Sequence, residues 1–232
     1  MTTTVFTTPA TTTATTTTTP TTATTTPTTS APATPSDGSV LALDLLAFIT
    51  VETEHRGGYQ RDLFGYPADF GHGCDTRAEV LRRDSRSTPT VKNPGCTVVS
   101  GTWVSPYDGV AVTAASALQI DHVVALKEAW DSGAWAWSPA KRHAFANDTI
   151  DPRTLRAASI ATNQDKGDKD PSNWLPSDPA DVCSFVADWV EIKVRWTLTM
   201  DSSEAGRVRN LLRGPCAGWR VASFDAVPGA LG

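Results

Sequence analysis

Ile120-Asp121-His122-Val123-Val124-Ala125-Leu126 and, further on, Asn163-Gln164-Asp165-Lys166-Gly167-Asp168 are the stretches that organise the chain. In the first, an acidic residue and a histidine stand side by side after an apolar approach. In the second, an amide-bearing residue and a lysine sit one helical turn apart. Metal-dependent phosphodiester hydrolysis needs such a set: oxygen ligands for a hard divalent cation, a neutral imidazole to deprotonate water, and a cation near the phosphate. Leu118-Gln119-Ile120 alternates and reads as a short strand leading into Asp121 and His122. Neighbours on a regular strand point to opposite faces, so these two share a site only if the strand bends or ends there.

Outward from this pair, the sequence predicts a mixed α and β domain. Val40 to Val51 reads as a first core helix, with Leu41, Leu45 and Phe48 at helical spacing. Thr53 to Phe70 reads as an irregular packed loop; His55 here and His72 just beyond read as bland loop histidines. Thr76 with Glu79 matches a capping box, which places Arg77 at the first helical position, beside exposed N–H groups and able to face an anion. Val91 to Trp103 reads as a hairpin around Cys96, with Thr97-Val98-Val99, then Ser100-Gly101, then Thr102-Trp103-Val104, and Pro106 to Gly109 reads as a turn. Val123 to Trp130 looks helical, and Ser138-Pro139 opens a helix reaching Asn147 with His143 exposed on it. Leu155 to Asn163 reads as a strand or loop feeding a helix at Asn163–Lys166. Asp181 to Trp196 is an amphipathic helix, and Asp201 with Glu204 caps a last one that stops at Gly214-Pro215.

Composition bounds the rest. Residues 1–38 are nearly all Thr, Pro and Ala, too poor in large apolar side chains to offset their ordering entropy. They read as a disordered tail, leaving residues 39–232 as one folded domain. The net charge of −5 excludes a generic polyanion binder; positive potential has to be confined to one cleft. No apolar run approaches the roughly twenty residues of a membrane span, and no signal peptide is visible. A Thr/Pro tract nevertheless belongs outside the cell, so a secreted protein with an upstream or trimmed start is expected. Cys74, Cys96, Cys183 and Cys216 form no CxxC, against a zinc site. Of three pairings, 74–96 and 183–216 are favoured because each closes a short local loop; four reduced, buried thiols are the competing reading.

Five blocks in order carry a resemblance. They are Tyr59-x-Arg61-x-x-Phe64-Gly65, Gly73-Cys74-Asp75-Thr76-Arg77-x-Glu79-Val80-Leu81, Asp121-His122-Val123-Val124-x-Leu126-x-Glu128-Ala129-Trp130, Phe145-Ala146-Asn147-Asp148, and Asn163-x-x-Lys166-Gly167-Asp168-x-Asp170-Pro171-x-x-Trp174-Leu175-Pro176. Over about residues 40–215 the chain resembles the secreted HNH-type nuclease-like proteins of actinobacteria, related to the C-terminal domain of GmrSD-type restriction enzymes. The resemblance implies an α+β fold, mainly helical, around a ββα-metal (His-Me finger) core holding one divalent cation, Mg²⁺ or Mn²⁺. It makes His122 the general base, Asp121 and Asn163 the metal ligands, and Lys166 the cation facing a phosphate. Where the family pattern has an Asn that orients the histidine, this chain has Thr154, and Asn147 is the expected substitute.

The expected activity is endonucleolytic hydrolysis of nucleic acid, DNA before RNA, with little sequence preference and no obligate protein partner. Arg77, Arg142, Arg153 and Lys169 are the expected substrate-binding cations, and Asp168 the likeliest further metal ligand. Two rival expectations stand beside it: a catalytically decayed scaffold acting as a secreted binding module, and a different metal hydrolase or a cell-wall protein whose Asp-rich segment near Asp168 binds Ca²⁺.

Overall fold

A computed structural model describes residues 1–4, 38–71, 73–92 and 95–222. The expected tail at 1–38 therefore lies outside the described residues except for 1–4 and Gly38, and so does His72. Thr34–Gly232 is one compact unit and holds every element below. In chain order these are β1 (Val40–Leu41), α1 (Ala42–Leu45), α2 (Thr76–Asp84), β2 (Thr90–Val91), β3 (Val98–Val104), β4 (Ala111–Ala114) and β5 (Leu118–His122). Then come α3 (Leu126–Asp131), α4 (Pro139–Ala146), β6 (Leu155–Ser159), α5 (Ile160–Lys166), α6 (Val182–Trp196), α7 (Ser202–Arg213) and β7 (Arg220–Val221). Helices and small sheets mix, as the α+β expectation holds. No helix among the described residues is long and apolar enough to cross a membrane.

The sheets are β1–β7, β2–β3–β4 and β5–β6, all antiparallel. Pair β5–β6 runs in register from Leu118↔Ser159 to His122↔Leu155, and α5 follows β6 directly. Ser159 ends β6 and caps α5 by accepting the N–H of Thr162 at 3.3 Å. Two strands and a helix thus form one unit, with His122 at the last paired position of its strand. The pleat sorts its side chains: Leu155 and Ala157 pack with Leu118, Val80, Leu81 and Trp103, whereas Ala158 joins the larger helical core. That larger core gathers Phe145, Phe185, Trp189, Trp196 and Val208 from α4, α6 and α7.

Several predicted elements hold. Ser138 caps α4 with Pro139 at the start, and Asp201 caps α7. Helix α6 forms where its spacing predicts but is not two-faced: it is buried nearly all round, with Glu191, Lys193 and Arg195 held inside by ion pairs. Others are corrected. The stretch from Val40 is a short strand, one helical turn and a 3₁₀ turn; the 3₁₀ turn takes Phe48 off the helical face and leaves it 75% exposed. The residue capping α2 is Asp75, accepting the N–H of Ala78 at 2.8 Å, not Thr76. Ser100-Gly101 is no turn but the middle of β3, at a register shift. Gly101 is there because a Cβ would stand 2.6 Å from the Trp103 ring and 2.7 Å from Ser85 Oγ. Residues 123–125 precede α3 rather than belonging to it.

Both favoured disulfides are present, Cys74–Cys96 and Cys183–Cys216. The second ties the start of α6 to the segment after α7. The same helices share a buried charge network. Lys193 is fully buried, with Nζ 2.7 Å from Glu128 Oε1, 2.9 Å from Glu204 Oε2 and 2.8 Å from the Thr199 carbonyl. Burying an ammonium is tolerable only with partners of this kind.

Candidate functional site

The end of β5 opens into a cleft of about 560 Å³ whose walls include Arg61, Asp121, His122, Lys127, Asn163 and Asp168. A second recess, about 100 Å³, lies against the same strand; Arg61, Ile120 and His122 line both. His122 therefore stands between the two spaces.

The imidazole is held from behind. Its Nε2 lies 2.9 Å from the carbonyl oxygen of Ala146, the last residue of α4. A carbonyl can only accept, so Nε2 carries the proton and Nδ1 keeps the lone pair. The bond also satisfies a carbonyl that the helix end leaves without a partner. Phe145 stacks near the ring, with centroids 6.2 Å apart at 29°. Burial, first, lowers the His122 pKa to about 4, opposed by the Ala146 bond and Asp121 and reinforced by Arg61 and Lys166. The ring is neutral at pH 7.

Asp121 and Lys166 meet behind His122. Lys166 is fully buried; its Nζ lies 2.8 Å from Asp121 Oδ1 and 2.8 Å from the His122 carbonyl. The other Asp121 oxygen accepts the Tyr107 hydroxyl at 2.5 Å. The Tyr107 pKa is raised, by burial first and then by the Asp121 charge. Lys166 thus does not face a phosphate: its hydrocarbon stem is sealed in the core, and its charge is spent on Asp121. Asp121 reaches the cleft floor with both oxygens already accepting.

The open groups are others. Asn163 donates its Nδ2 to Gln119 Oε1 at 2.8 Å, and no partner among the described residues engages its amide oxygen. Neither the Asp168 carboxylate nor the Arg61 guanidinium has a hydrogen bond or ion pair among the described residues. Arg61, in the run Tyr59-x-Arg61-x-x-Phe64-Gly65, carries no local signal of a role. Its free charge beside His122 appears only once the 61–64 turn is placed against β5.

The remaining expected residues are used elsewhere. Asn147 does not touch His122. Its Oδ1 accepts from Ala68 N at 2.8 Å and Thr76 Oγ1 at 2.5 Å, and its Nδ2 donates to the Tyr66 and His143 carbonyls at 3.2 and 3.0 Å. It acts one step removed, by pinning the 66–68 loop to the end of α4, next to the carbonyl that orients His122. Thr154 is fully buried; its hydroxyl donates to Asp148 Oδ2 at 2.6 Å and accepts from Arg195. Arg142 is buried, donating to the Leu63, Ala134 and Trp137 carbonyls, so it is a brace and not a substrate contact. Arg153 is taken by Asp151, Glu191 and the Ala222 carbonyl. Arg77 holds the Ala115 and Leu118 carbonyls at 2.8 and 3.1 Å instead of an anion. Lys169 pairs with Asp165. The polar forks of Arg77, Arg142 and Arg153 each find chain carbonyls or carboxylates at hand, and tertiary packing decides which.

Among the described residues, two other groups come close enough to suggest an ion. Cys74, Glu79 and Cys96 converge, but the sulfurs are bonded to each other. Glu54, Asp170 and Asp201 have ligand atoms within 4.8 Å of one another. Each of these is engaged by the protein: Glu54 by Arg56, Asp170 by Ser172 N–H, and Asp201 as the cap of α7.

Against known proteins, the chain is 37% identical over 182 residues to a protein of Arthroderma benhamiae described as "Uncharacterized secreted protein". The match covers 78% of this chain and 87% of that protein. The chain belongs to the family of that secreted protein. No family model matches it. No solved structure matches it either. The secreted localisation expected from the sequence stands, on this relative and on two disulfides, which persist in oxidising compartments.

Proposed function

We propose that the chain is a secreted, metal-dependent phosphodiesterase of the HNH (His-Me finger) type that cuts nucleic acid, DNA in the first instance. One observation carries the reading. A neutral imidazole, two oxygen donors and a guanidinium, the last three without partners among the described residues, line one cleft at the end of a ββα unit.

The donor set suits Mg²⁺ or Mn²⁺, which take carboxylate and amide oxygens and keep several waters. Asn163 and Asp168 are the residues that would hold it. Asp121 is the poorer donor, because the Lys166 ammonium already balances its charge. When bound, the cation polarises the scissile phosphate and stabilises the leaving 3′ oxygen. His122 Nδ1 takes the proton of the attacking water. The Ala146 carbonyl holds the ring in register and favours the imidazolium once it has formed, as does the carbonyl end of α4. Arg61 neutralises phosphate charge from the rim, the confined positive potential that a net charge of −5 demands.

Incubation of supercoiled plasmid with the purified chain in Mg²⁺ or Mn²⁺ tests this. Nicked circles that vanish with chelator are expected; intact plasmid in every condition counts against hydrolysis. A second reading is favoured by the Asp121–Lys166–Tyr107 contacts, which resemble a site closed to metal: a binding module on a decayed scaffold. Plasmid retained but never nicked, with His122→Ala binding as the parent does, is its signature.

A further inference from the structure

The smaller recess beside His122 has no part in the hydrolysis described above. It is walled by Tyr66, Pro67, Ile120, Ala146 and Leu155, a largely apolar set, and it shares Arg61 and His122 with the cleft. Its volume is about 100 Å³. One water needs about 10–15 Å³ on such a measure, so the space admits one planar ring system and not a base pair.

Tyr66 is the most informative wall. The residue is 82% exposed at the mouth of the recess, so its ring is open to a ligand. Its backbone is nonetheless fixed, since Asn147 binds the Tyr66 carbonyl and the Ala68 N–H on either side of Pro67. Gly65 before it has φ +75°, and a Cβ there would meet the His143 ring at 2.8 Å, so this turn needs glycine. An exposed aromatic on a pinned loop is a ready stacking surface.

Apart from Arg61 and His122, which it shares with the cleft, the longer polar side chains of the recess are already spoken for. Arg77 is committed to the Ala115 and Leu118 carbonyls, and the Asn147 amide is used at both ends. An occupant is thus held by shape and stacking, without hydrogen bonds that read its edges. Arg61, common to both spaces, ties that occupant to an adjacent anion.

We propose that this recess seats one unpaired nucleobase next to the phosphate held at Arg61, so that single strands are preferred to duplex and no base is strongly favoured. The proposal rests on the phosphodiesterase reading and names its substrate class. A duplex has to release a base to fill the recess, at an unstacking cost that a single strand avoids.

The test is fluorescence anisotropy with the full chain in EDTA, where metal-dependent cleavage is silent. Three labelled probes are compared: a short DNA single strand, the same strand made of abasic residues, and the duplex. The parent is expected to bind the base-bearing single strand about tenfold tighter than the abasic one, the lower part of the range for base–aromatic stacking. Tyr66→Phe keeps that ratio and Tyr66→Ala abolishes it. Equal affinity for base-bearing and abasic strands, no binding to either, or a ratio retained by Tyr66→Ala overturns the subsite. Nicking in Mn²⁺ is scored separately. Cleavage without a base preference removes the subsite and leaves hydrolysis; a base preference without cleavage does the reverse.

Discussion

The Lys166 ammonium stands 2.8 Å from Asp121 Oδ1, with Lys166 fully buried and Asp121 showing only its edge to the cleft. The pair fastens α5 to β5 directly behind His122, because the same ammonium also binds the His122 carbonyl. Removing one member leaves the other buried and uncompensated, at a cost of about 3–5 kcal/mol. Lys166→Met is therefore expected to lower the unfolding free energy by about that amount in a urea titration. A variant as stable as the parent shows that Asp121 finds another partner, such as a cation from the buffer.

Asn147 links the loop beside the recess to the end of α4. Asn147→Ala frees the Tyr66 carbonyl and the Ala68 N–H, and is expected to cost about 1–3 kcal/mol of stability. If the Ala146 carbonyl shifts with it, nicking falls about ten- to hundredfold, since small misplacements of a base are expensive. A stability loss with an unchanged cleavage rate separates a purely structural role from a positioning one.

Glu191 lies fully buried, 3.2 Å from Arg195 Nε and 3.4 Å from an Arg153 nitrogen, yet neither of its oxygens has a well-formed hydrogen bond. Burial, the largest influence, raises its pKa to about 7 against the pull of Arg195. A carboxyl group whose folded pKa exceeds its unfolded one binds its proton more tightly in the folded state. Its contribution thus favours folding at low pH and is lost as pH rises from the ordinary carboxylate range through about 7. Glu191→Gln abolishes that titration. Between about pH 5 and 8 the parent is expected to lose stability relative to the variant. A difference that does not vary with pH contradicts the assignment.

The Cys183–Cys216 bridge closes a loop of sequence separation 33 around α6 and α7. Replacing both cysteines by serine is expected to cost about 2–4 kcal/mol, read as a lower thermal midpoint. An unchanged midpoint means that the charge network on Lys193 holds these helices together alone.

How much of this was legible depended on how local the cause was. Ser138-Pro139, Asp201 with Glu204, and the spacing of Phe185, Trp189, Ile192 and Trp196 announce their helices, since caps and periodicity act within a few residues. Gly101 misled because it reads as a turn, whereas its missing Cβ is required by the Trp103 ring two residues on and by Ser85, which only the fold brings beside it. The site divided in the same way. His122, Asn163 and Asp168 share the cleft their order suggested. The cations were misassigned because nothing in a sequence says whether an ammonium or guanidinium turns inward. Lys166 and Arg142 do, while Arg61 does not.

The most direct measurement is the plasmid-nicking rate of His122→Ala beside that of the parent in Mn²⁺, at equal folded concentration. A general base is worth about 10²- to 10⁴-fold, so a loss of at least about a hundredfold is expected, with Asn163 and Asp168 variants losing metal dependence in parallel. Equal rates for parent and variant, or no nicking by either, contradict the assignment of His122 as the base.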